Sequence, residues 1–105
     1  MVLLHVITND TNQTDEIVDQ LITQKLLLSG ITIEDVNVKK MGHEGNIISE
    51  KQSLIMGTTK ALLFNKIDAF LRDKYPDNVP TVYSIPIVNM DWEQADQLVK
   101  ETKAI

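Results

Sequence analysis

Only two histidines in this sequence could serve as metal ligands or proton carriers, His5 and His43. His43 is followed directly by Glu44, and an imidazole next to a carboxylate can supply one or two ligands to copper or zinc. A turn can equally carry this pair as ordinary solvated residues. His5 lies inside an apolar run, where a buried neutral imidazole with a hydrogen-bond partner is expected. His43 and Glu44 are therefore the candidate metal ligands, and a divalent ion such as copper or zinc is the expected cofactor if one is bound.

The segment Gly57-Thr58-Thr59-Lys60 is a candidate anion site. If it opens a helix, free backbone N–H groups and the positive end of the helix dipole are available to an anion. The segment lacks the longer glycine-rich loop of a Walker A sequence, and an ordinary helix start has the same composition. Thr58 and Lys60 remain candidate ligand residues on this basis.

No residue pattern predicts covalent or acid–base catalysis. The serines have no accompanying His-Asp pattern, and no nucleophile elbow is present. Cysteine is absent, which removes disulfides, thiolate nucleophiles, zinc knuckles and iron–sulfur clusters. We therefore expect a binding or regulatory protein and not an enzyme.

Length and charge limit the remaining possibilities. The 105 residues suffice for one domain, spanning residues 1–105. A formal net charge of −5 disfavours binding to nucleic acid and to anionic membranes. No apolar run approaches the roughly 20 residues that a membrane helix needs, and the apolar start is too short for a signal peptide. The expected location is the cytoplasm.

Two hydrophobic periodicities predict the order of strands and helices. Residues 2–8 are almost continuously apolar, which indicates a central strand. Turn residues 9–12 offer an N-cap to a first helix, which should end at Ser29 and Gly30. The apolar stripe of that helix comprises Ile17, Val18, Leu21, Ile22 and Leu26.

Residues 31–56 predict a long hairpin with its turn at residues 42–45. The parity of its apolar residues shifts between Ile33 and Val36, which indicates a β-bulge near Glu34 and Asp35. Residues 57–59 should end the hairpin and start a second helix. Its apolar stripe comprises Leu63, Phe64, Ile67, Phe70 and Leu71.

The last predicted elements are a strand over residues 79–88 and a short helix after Asp91. Pro80 and Pro86 cannot donate to a strand ladder, so this strand should lie at a sheet edge or carry a bulge. The resulting order β-α-β-β-α-β is an α+β, ferredoxin-like arrangement with an added C-terminal helix. It places two helices on one face of a four-stranded antiparallel sheet.

One short terminal helix cannot cover the other face of such a sheet, so apolar surface there should be buried by copies of the same chain. The residues expected to contribute to that surface are Ile31, Ile33, Val82, Ile85 and Ile87. RNA recognition by this topology would need aromatic residues on the central strands, and none lies on the first or third strand.

At this point the sequence resembles the CutA divalent-cation-tolerance proteins, a family related to the PII-like signalling proteins. Residues 42–47 resemble the family's Trp-Glu-Gly-Lys-Ile turn, and residues 54–60 resemble its strand ending in Lys-Thr. Residues 75–80 and 83–87 resemble its His-Pro-Tyr-Glu-Val-Pro and Ala-Leu-Pro-Ile segments, and Trp92 is similar to its C-terminal aromatic anchor. The polar positions differ, because the family's His, Tyr and Glu of this loop correspond to Tyr75, Asp77 and Asn78.

The resemblance implies a cytoplasmic homotrimer with a binding or regulatory role in tolerance to copper and other divalent cations. The hairpin around residues 36–56 and the strand around residues 79–88 would pair with neighbouring subunits, and a small-molecule or metal ligand would occupy the clefts between them. The residues expected to line that cleft are Tyr75, Asp77, Asn78 and Tyr83, with Thr58 and Lys60 from the anion segment.

Two alternatives to a role in cation handling stay open from the sequence. A PII-like protein would bind a nucleotide or another small anion at the subunit clefts, where Lys60, Lys39 and Lys40 could contribute by analogy. A scaffold that has lost its ligand site would keep the same hydrophobic framework. The sequence therefore predicts the assembly more firmly than the identity of the ligand.

Overall fold

A computed structural model describes residues 1–105 and contains one sheet, three α-helices and a short 3₁₀ helix. In chain order the elements are β1 (Val2–Thr8), α1 (Thr11–Thr23), β2 (Ile31–Met41), β3 (Ile47–Thr59), the 3₁₀ helix (Ala61–Leu63), α2 (Phe64–Lys74), β4 (Thr81–Pro86) and α3 (Trp92–Glu101).

The four strands form one antiparallel sheet in the order β2-β3-β1-β4. This confirms the α+β, ferredoxin-like topology with an added C-terminal helix. Strand β4 lies at the edge, as its prolines predict, but it covers only Thr81–Pro86 and is shorter than the expected strand. Pro80 falls before the strand and Pro86 is its last residue, so neither interrupts a central ladder.

Strand β1 alternates between a fully buried face and a partly exposed face. Its buried side chains, such as Leu4 and Val6, point to the face that carries α1 and α2, and this face forms the core. The buried core cluster comprises Leu4, Val6, Ile17, Leu21, Leu26, Leu27, Ile55, Leu63, Ile67 and Leu71.

Helix α1 ends earlier than its apolar stripe predicts. It stops at Thr23, and Lys25 adopts a left-handed backbone with φ of 59°. The backbone N–H groups of Leu26 and Leu27 both donate to the Leu21 carbonyl oxygen, at 2.8 Å and 3.2 Å. Leu26 therefore reaches the core from a capping turn and not from a helical position, since the turn satisfies carbonyls at the helix end.

The expected start of the second helix is also wrong. Strand β3 continues through Gly57 and Thr58 to Thr59, and α2 begins only at Phe64 after the 3₁₀ helix. Gly57 is required in the strand, because a Cβ there would lie 2.7 Å from the Ser29 carbonyl oxygen. A glycine that makes room for a neighbouring backbone within a strand can therefore be mistaken, from the sequence, for the end of that strand.

The hairpin of β2 and β3 extends beyond the helices, and most residues of its outer half are exposed. A register shift between Ile33 and Val36 confirms the predicted bulge, where Asp35 has φ of 57°. The turn that joins the strands contains Gly45 with φ of 82°, a conformation that favours glycine.

The sheet face opposite α1 and α2, called the open face below, keeps an apolar surface with α3 in place. Ile31 and Ile33 of β2 are 59% and 43% exposed, and Tyr83 and Ile85 of β4 are both 42% exposed. Val82 does not belong to this surface as expected, because it packs against the core on the helix side. Exposed residues of two edge strands thus flank β1 and β3 on this face.

Candidate functional site

A polar cleft of about 340 Å³ opens beside the end of β1. One wall is the start of α1, which contributes Asp10, Asn12, Gln13 and Glu16. The other wall is the segment between α2 and β4, which contributes Lys74, Tyr75, Pro76, Asp77 and Asn78. Both walls follow directly from the topology, since β1 leads into α1 and the segment after α2 leads into the neighbouring strand β4.

Side-chain hydrogen bonds hold the α1 wall. Asp10 is the N-cap, and its carboxylate accepts from the Asn12 backbone N–H at 2.9 Å. The hydroxyl oxygens of Thr8 and Thr14 are buried and lie 2.6 Å apart. Both also lie within hydrogen-bond distance of the Asp10 carbonyl oxygen, so they join the end of the strand to the first turn of the helix.

The second wall is a turn that begins where α2 ends. The Tyr75 backbone N–H donates to the Leu71 carbonyl, and the Asn78 N–H donates to the Tyr75 carbonyl at 3.2 Å. The buried side chain of Gln13 spans the cleft floor and donates to the Asn78 carbonyl oxygen at 3.1 Å. Gln13 therefore fixes the separation of the two walls.

Glu16 and Lys74 form an ion pair across the cleft, with Oε1 and Nζ 2.5 Å apart. The Lys74 ammonium lowers the pKa of Glu16 through this hydrogen bond. Glu16 therefore stays ionised near neutral pH. Lys74 is the only cationic side chain of the cleft, whereas Asp10, Glu16 and Asp77 supply three carboxylates.

The Tyr75 hydroxyl is buried beside the Glu16 carboxylate. Burial, followed by the negative charge of Glu16, raises the pKa of Tyr75 to about 12. Its proton is thus retained at neutral pH, and the Glu16 carboxylate is an acceptor beside it.

The charge of the cleft determines which ligands it favours. With three carboxylates against one ammonium it attracts cations and repels phosphates. The chain contains no group of three His, Cys, Asp or Glu side chains arranged to hold a metal ion. A cation in this cleft would consequently need water or groups from another subunit to complete its coordination.

The structure brings together only part of the predicted ligand set. Tyr75, Asp77 and Asn78 line the cleft. Tyr83 lies on the open face, where its hydroxyl is 3.1 Å from His5 Nδ1. A shared cleft that includes Tyr83 therefore requires a second subunit and stays a prediction.

The predicted anion segment lies at the other end of the sheet. Thr58 pairs with Leu3 near the start of β1. Lys60 Nζ donates to the Thr102 and Lys103 carbonyl oxygens, at 3.4 Å and 2.8 Å, and so ties the end of α3 to the sheet. Thr58 lies within β3, and Lys60 caps only the three-residue 3₁₀ helix that precedes α2, so the long helix expected to start here is not at this segment. An anion site at Thr58 and Lys60 stays a prediction.

The two histidines occupy different settings. His43 and Glu44 are exposed in the turn between β2 and β3, far along the hairpin from the cleft. Their role as metal ligands stays a prediction. His5 is only partly buried and not fully buried as expected, although it does have a partner in Tyr83.

Sequence reasoning missed the α1 wall of the cleft. Asp10, Gln13 and Glu16 lie more than 50 residues from the Tyr75 loop in the chain, and no motif connects them. One signal was available: Gln13 and Thr14 fall on the same helix face as Ile17 and are polar. Polar residues on a buried stripe indicate hydrogen-bonding partners elsewhere in the fold.

Solved structures similar to this chain share one architecture. CutA1 from Pyrococcus horikoshii is 18% identical with a TM-score of 0.85, and the match covers 99% of this chain and 100% of that chain. The divalent cation tolerance protein CutA1 from Thermus thermophilus is 17% identical with a TM-score of 0.86, over 97% and 98% of the two chains. The chain has the CutA1 fold.

A third structure with the CutA1 fold is described as the periplasmic divalent cation tolerance protein CutA from Archaeoglobus fulgidus. It is 15% identical with a TM-score of 0.84, over 97% of this chain and 98% of that chain. No protein-family model matches the sequence, and no curated protein matches it. None of the helices has the length and apolar character to cross a membrane.

Proposed function

We propose that this chain is a homotrimeric binding protein with a role in divalent cation tolerance, and that it binds a cation such as copper or zinc at the cleft. The single observation that carries the proposal is the negative charge of the cleft, within a fold whose solved examples are named for divalent cation tolerance. In keeping with the sequence, we propose no enzymatic turnover and a cytoplasmic location.

The open face supports the homotrimer. Ile31, Ile33, Tyr83 and Ile85 are large side chains that remain at least two-fifths exposed. Burying them against identical copies would stabilise an assembly through the hydrophobic effect, at about 25 cal/mol for each Å² of apolar surface. The edge strands β2 and β4 also have free backbone groups that neighbouring subunits can pair.

The charge distribution favours a cation over the nucleotide of the PII-like alternative. A triphosphate entering the cleft would meet the carboxylates of Asp10 and Asp77, because Lys74 and Glu16 are paired with each other. Lys60 is engaged with two backbone carbonyls. No observation on this chain favours a nucleotide.

Calorimetric titration of the assembled protein with Cu²⁺, Zn²⁺ and ATP tests the proposal. The matched variants are Asp77→Asn in the cleft and Asp19→Asn, which makes the same charge change on α1 outside the cleft. We expect metal binding that Asp77→Asn weakens by about tenfold, the Coulomb effect of one charge near a divalent ion in water. Asp19→Asn should bind as the wild type does.

Two results would contradict the cation assignment. One is ATP binding with no metal binding, which supports the PII-like alternative. The other is metal binding that is lost in a His43→Ala variant and unchanged in Asp77→Asn, which would move the site to the hairpin turn. Binding of neither ligand would leave the scaffold as the better description.

A further inference from the structure

His5 is a titratable side chain at the centre of the apolar open face. It lies on the central strand β1, between Met56 of β3 and Tyr83 of β4 in the sheet register. Its Nδ1 is 3.1 Å from the Tyr83 hydroxyl, and the two rings pack at a centroid distance of 5.1 Å. The other ring nitrogen, Nε2, is buried and has no hydrogen-bond partner.

No charged group balances a proton on His5. The neighbours on the same face of β1 are Leu3 and Ile7, and both flanking strands contribute uncharged side chains. Those flanking side chains are Leu54, Met56, Thr58, Thr81, Tyr83 and Ile85. Strand β2 lies two strands away from β1, about 10 Å across the sheet, and its carboxylates Glu34 and Asp35 lie at the bulge. Tyr83 is the only titratable group that faces the imidazole.

Proton uptake would change what this surface can bury. In a neutral imidazole one nitrogen donates and the other accepts, whereas both nitrogens of an imidazolium must donate. Tyr83 can accept one of those hydrogen bonds, but Nε2 has no acceptor. Covering the open face would also move the new charge from water into an apolar interface, which is strongly unfavourable without a counter-charge.

We propose that His5 makes self-association through the open face pH-dependent, with the neutral His5–Tyr83 pair permitting assembly and protonation of His5 opposing it. This inference rests on the proposed homotrimer and adds its regulation. Histidine changes charge between about pH 5 and pH 8, so the device would act near physiological pH. Each proton that must be released on assembly weakens association by up to tenfold for each unit by which the pH is lowered.

The test is the association constant from sedimentation velocity on a dilution series, between about pH 5.5 and pH 8 at constant ionic strength. Wild type is compared with His5→Phe, which keeps an aromatic ring beside Tyr83 and cannot titrate. His43→Gln is the matched control, because the chain has no other histidine and His43 is exposed in the hairpin turn. Circular dichroism checks folding, and His5→Gln replaces His5→Phe if the larger ring prevents folding.

The expected result is association that weakens toward low pH in wild type and in His43→Gln, and that stays constant in the His5 variant. Association that is equally strong across this pH range in wild type overturns the inference while leaving the homotrimer intact. The same is true of a pH dependence that persists in the His5 variant or disappears in His43→Gln. A monomer at every pH overturns both the homotrimer and this inference.

Discussion

Removing the hydroxyls of Thr8 and Thr14 tests how the α1 wall of the cleft is held. Their oxygens lie 2.6 Å apart, and they lie 3.1 Å and 3.0 Å from the Asp10 carbonyl oxygen. The two hydroxyls carry two protons between them, so at most two of these three hydrogen bonds exist at one time. Each threonine is only 1% exposed, so water cannot replace a lost bond.

The expected cost follows from counting the bonds that survive. Thr14→Val leaves Thr8 free to donate to the Asp10 carbonyl, so one net bond is lost at about 1 kcal/mol of unfolding free energy. Thr8→Val leaves Thr14 bonded to the same carbonyl and should cost about as much. The double variant has neither hydroxyl, so both of the bonds that the wild type makes are lost. Its cost should therefore be about 2 kcal/mol, the sum of the single costs, because each single variant loses one bond and keeps the other.

Urea unfolding followed by far-UV circular dichroism measures this cycle, at one fixed protein concentration because assembly contributes to stability. Thr32→Val is the control, since Thr32 lies exposed on β2 and makes no side-chain hydrogen bond; it should change stability by less than about 0.5 kcal/mol. A double variant within about 0.3 kcal/mol of either single variant would refute this count, because it would show that the remaining hydroxyl makes no bond to the Asp10 carbonyl. Single variants as stable as wild type would refute the network altogether.

Leu21→Ala should cost about 2–5 kcal/mol in urea unfolding, because Leu21 is fully buried in the core; a cost below about 1 kcal/mol would contradict this packing. Since Lys74 lowers the pKa of Glu16, the ionised carboxylate stabilises the fold near neutral pH and this stabilisation is lost as the pH falls. Melting temperature should therefore drop less on acidification in Glu16→Gln than in wild type, and equal drops would argue against the pair. The pKa of Tyr75 is raised to about 12, so the stabilisation that its neutral phenol gives the fold is present below about pH 10. This stabilisation is lost as the pH rises through about 12. Tyr75→Phe should remove the latest phase of an ultraviolet absorbance titration, and a late phase that persists would contradict this. Lys25→Gly should raise the unfolding free energy by up to about 1 kcal/mol, because Lys25 has a left-handed φ of 59°; a lower melting temperature would be the opposite result.

The topology was predictable because it depends on patterns that local sequence carries. Continuous apolar residues identified β1, and the parity shift between Ile33 and Val36 identified the bulge of β2. The prolines identified β4 as an edge strand. Asp10 and Asp91 both cap helices as their positions predict. Each of these signals acts within a few residues of its own position.

Boundaries that depend on tertiary contact were not predictable. Leu26 continues the apolar stripe of α1, but the left-handed Lys25 turns the chain out of the helix before it. Gly57 has the composition of a strand break, yet it lies within β3 to make room for the Ser29 carbonyl. Gly57 is explained by the Ser29 carbonyl, which is distant in the sequence, and Leu26 by its packing in the core.

The candidate site was predictable on one side only. The resemblance of the Tyr75 loop to a family motif predicted a ligand cleft lined by Tyr75, Asp77 and Asn78, and these residues do line one cleft of the chain. Glu16 could not be found in this way, because its pairing with Lys74 depends on how α1 packs beside α2. The position of Tyr83 on the open face depends on the alternation of β4, which its two prolines obscure.

The central claim is that a single subunit is incomplete, because its open face keeps exposed apolar residues on both edge strands. Light scattering coupled to size exclusion, at micromolar concentration and about pH 7.5, measures this directly. The account predicts a particle with three times the 11.9 kDa mass of the chain. A folded particle with the mass of one chain would contradict it.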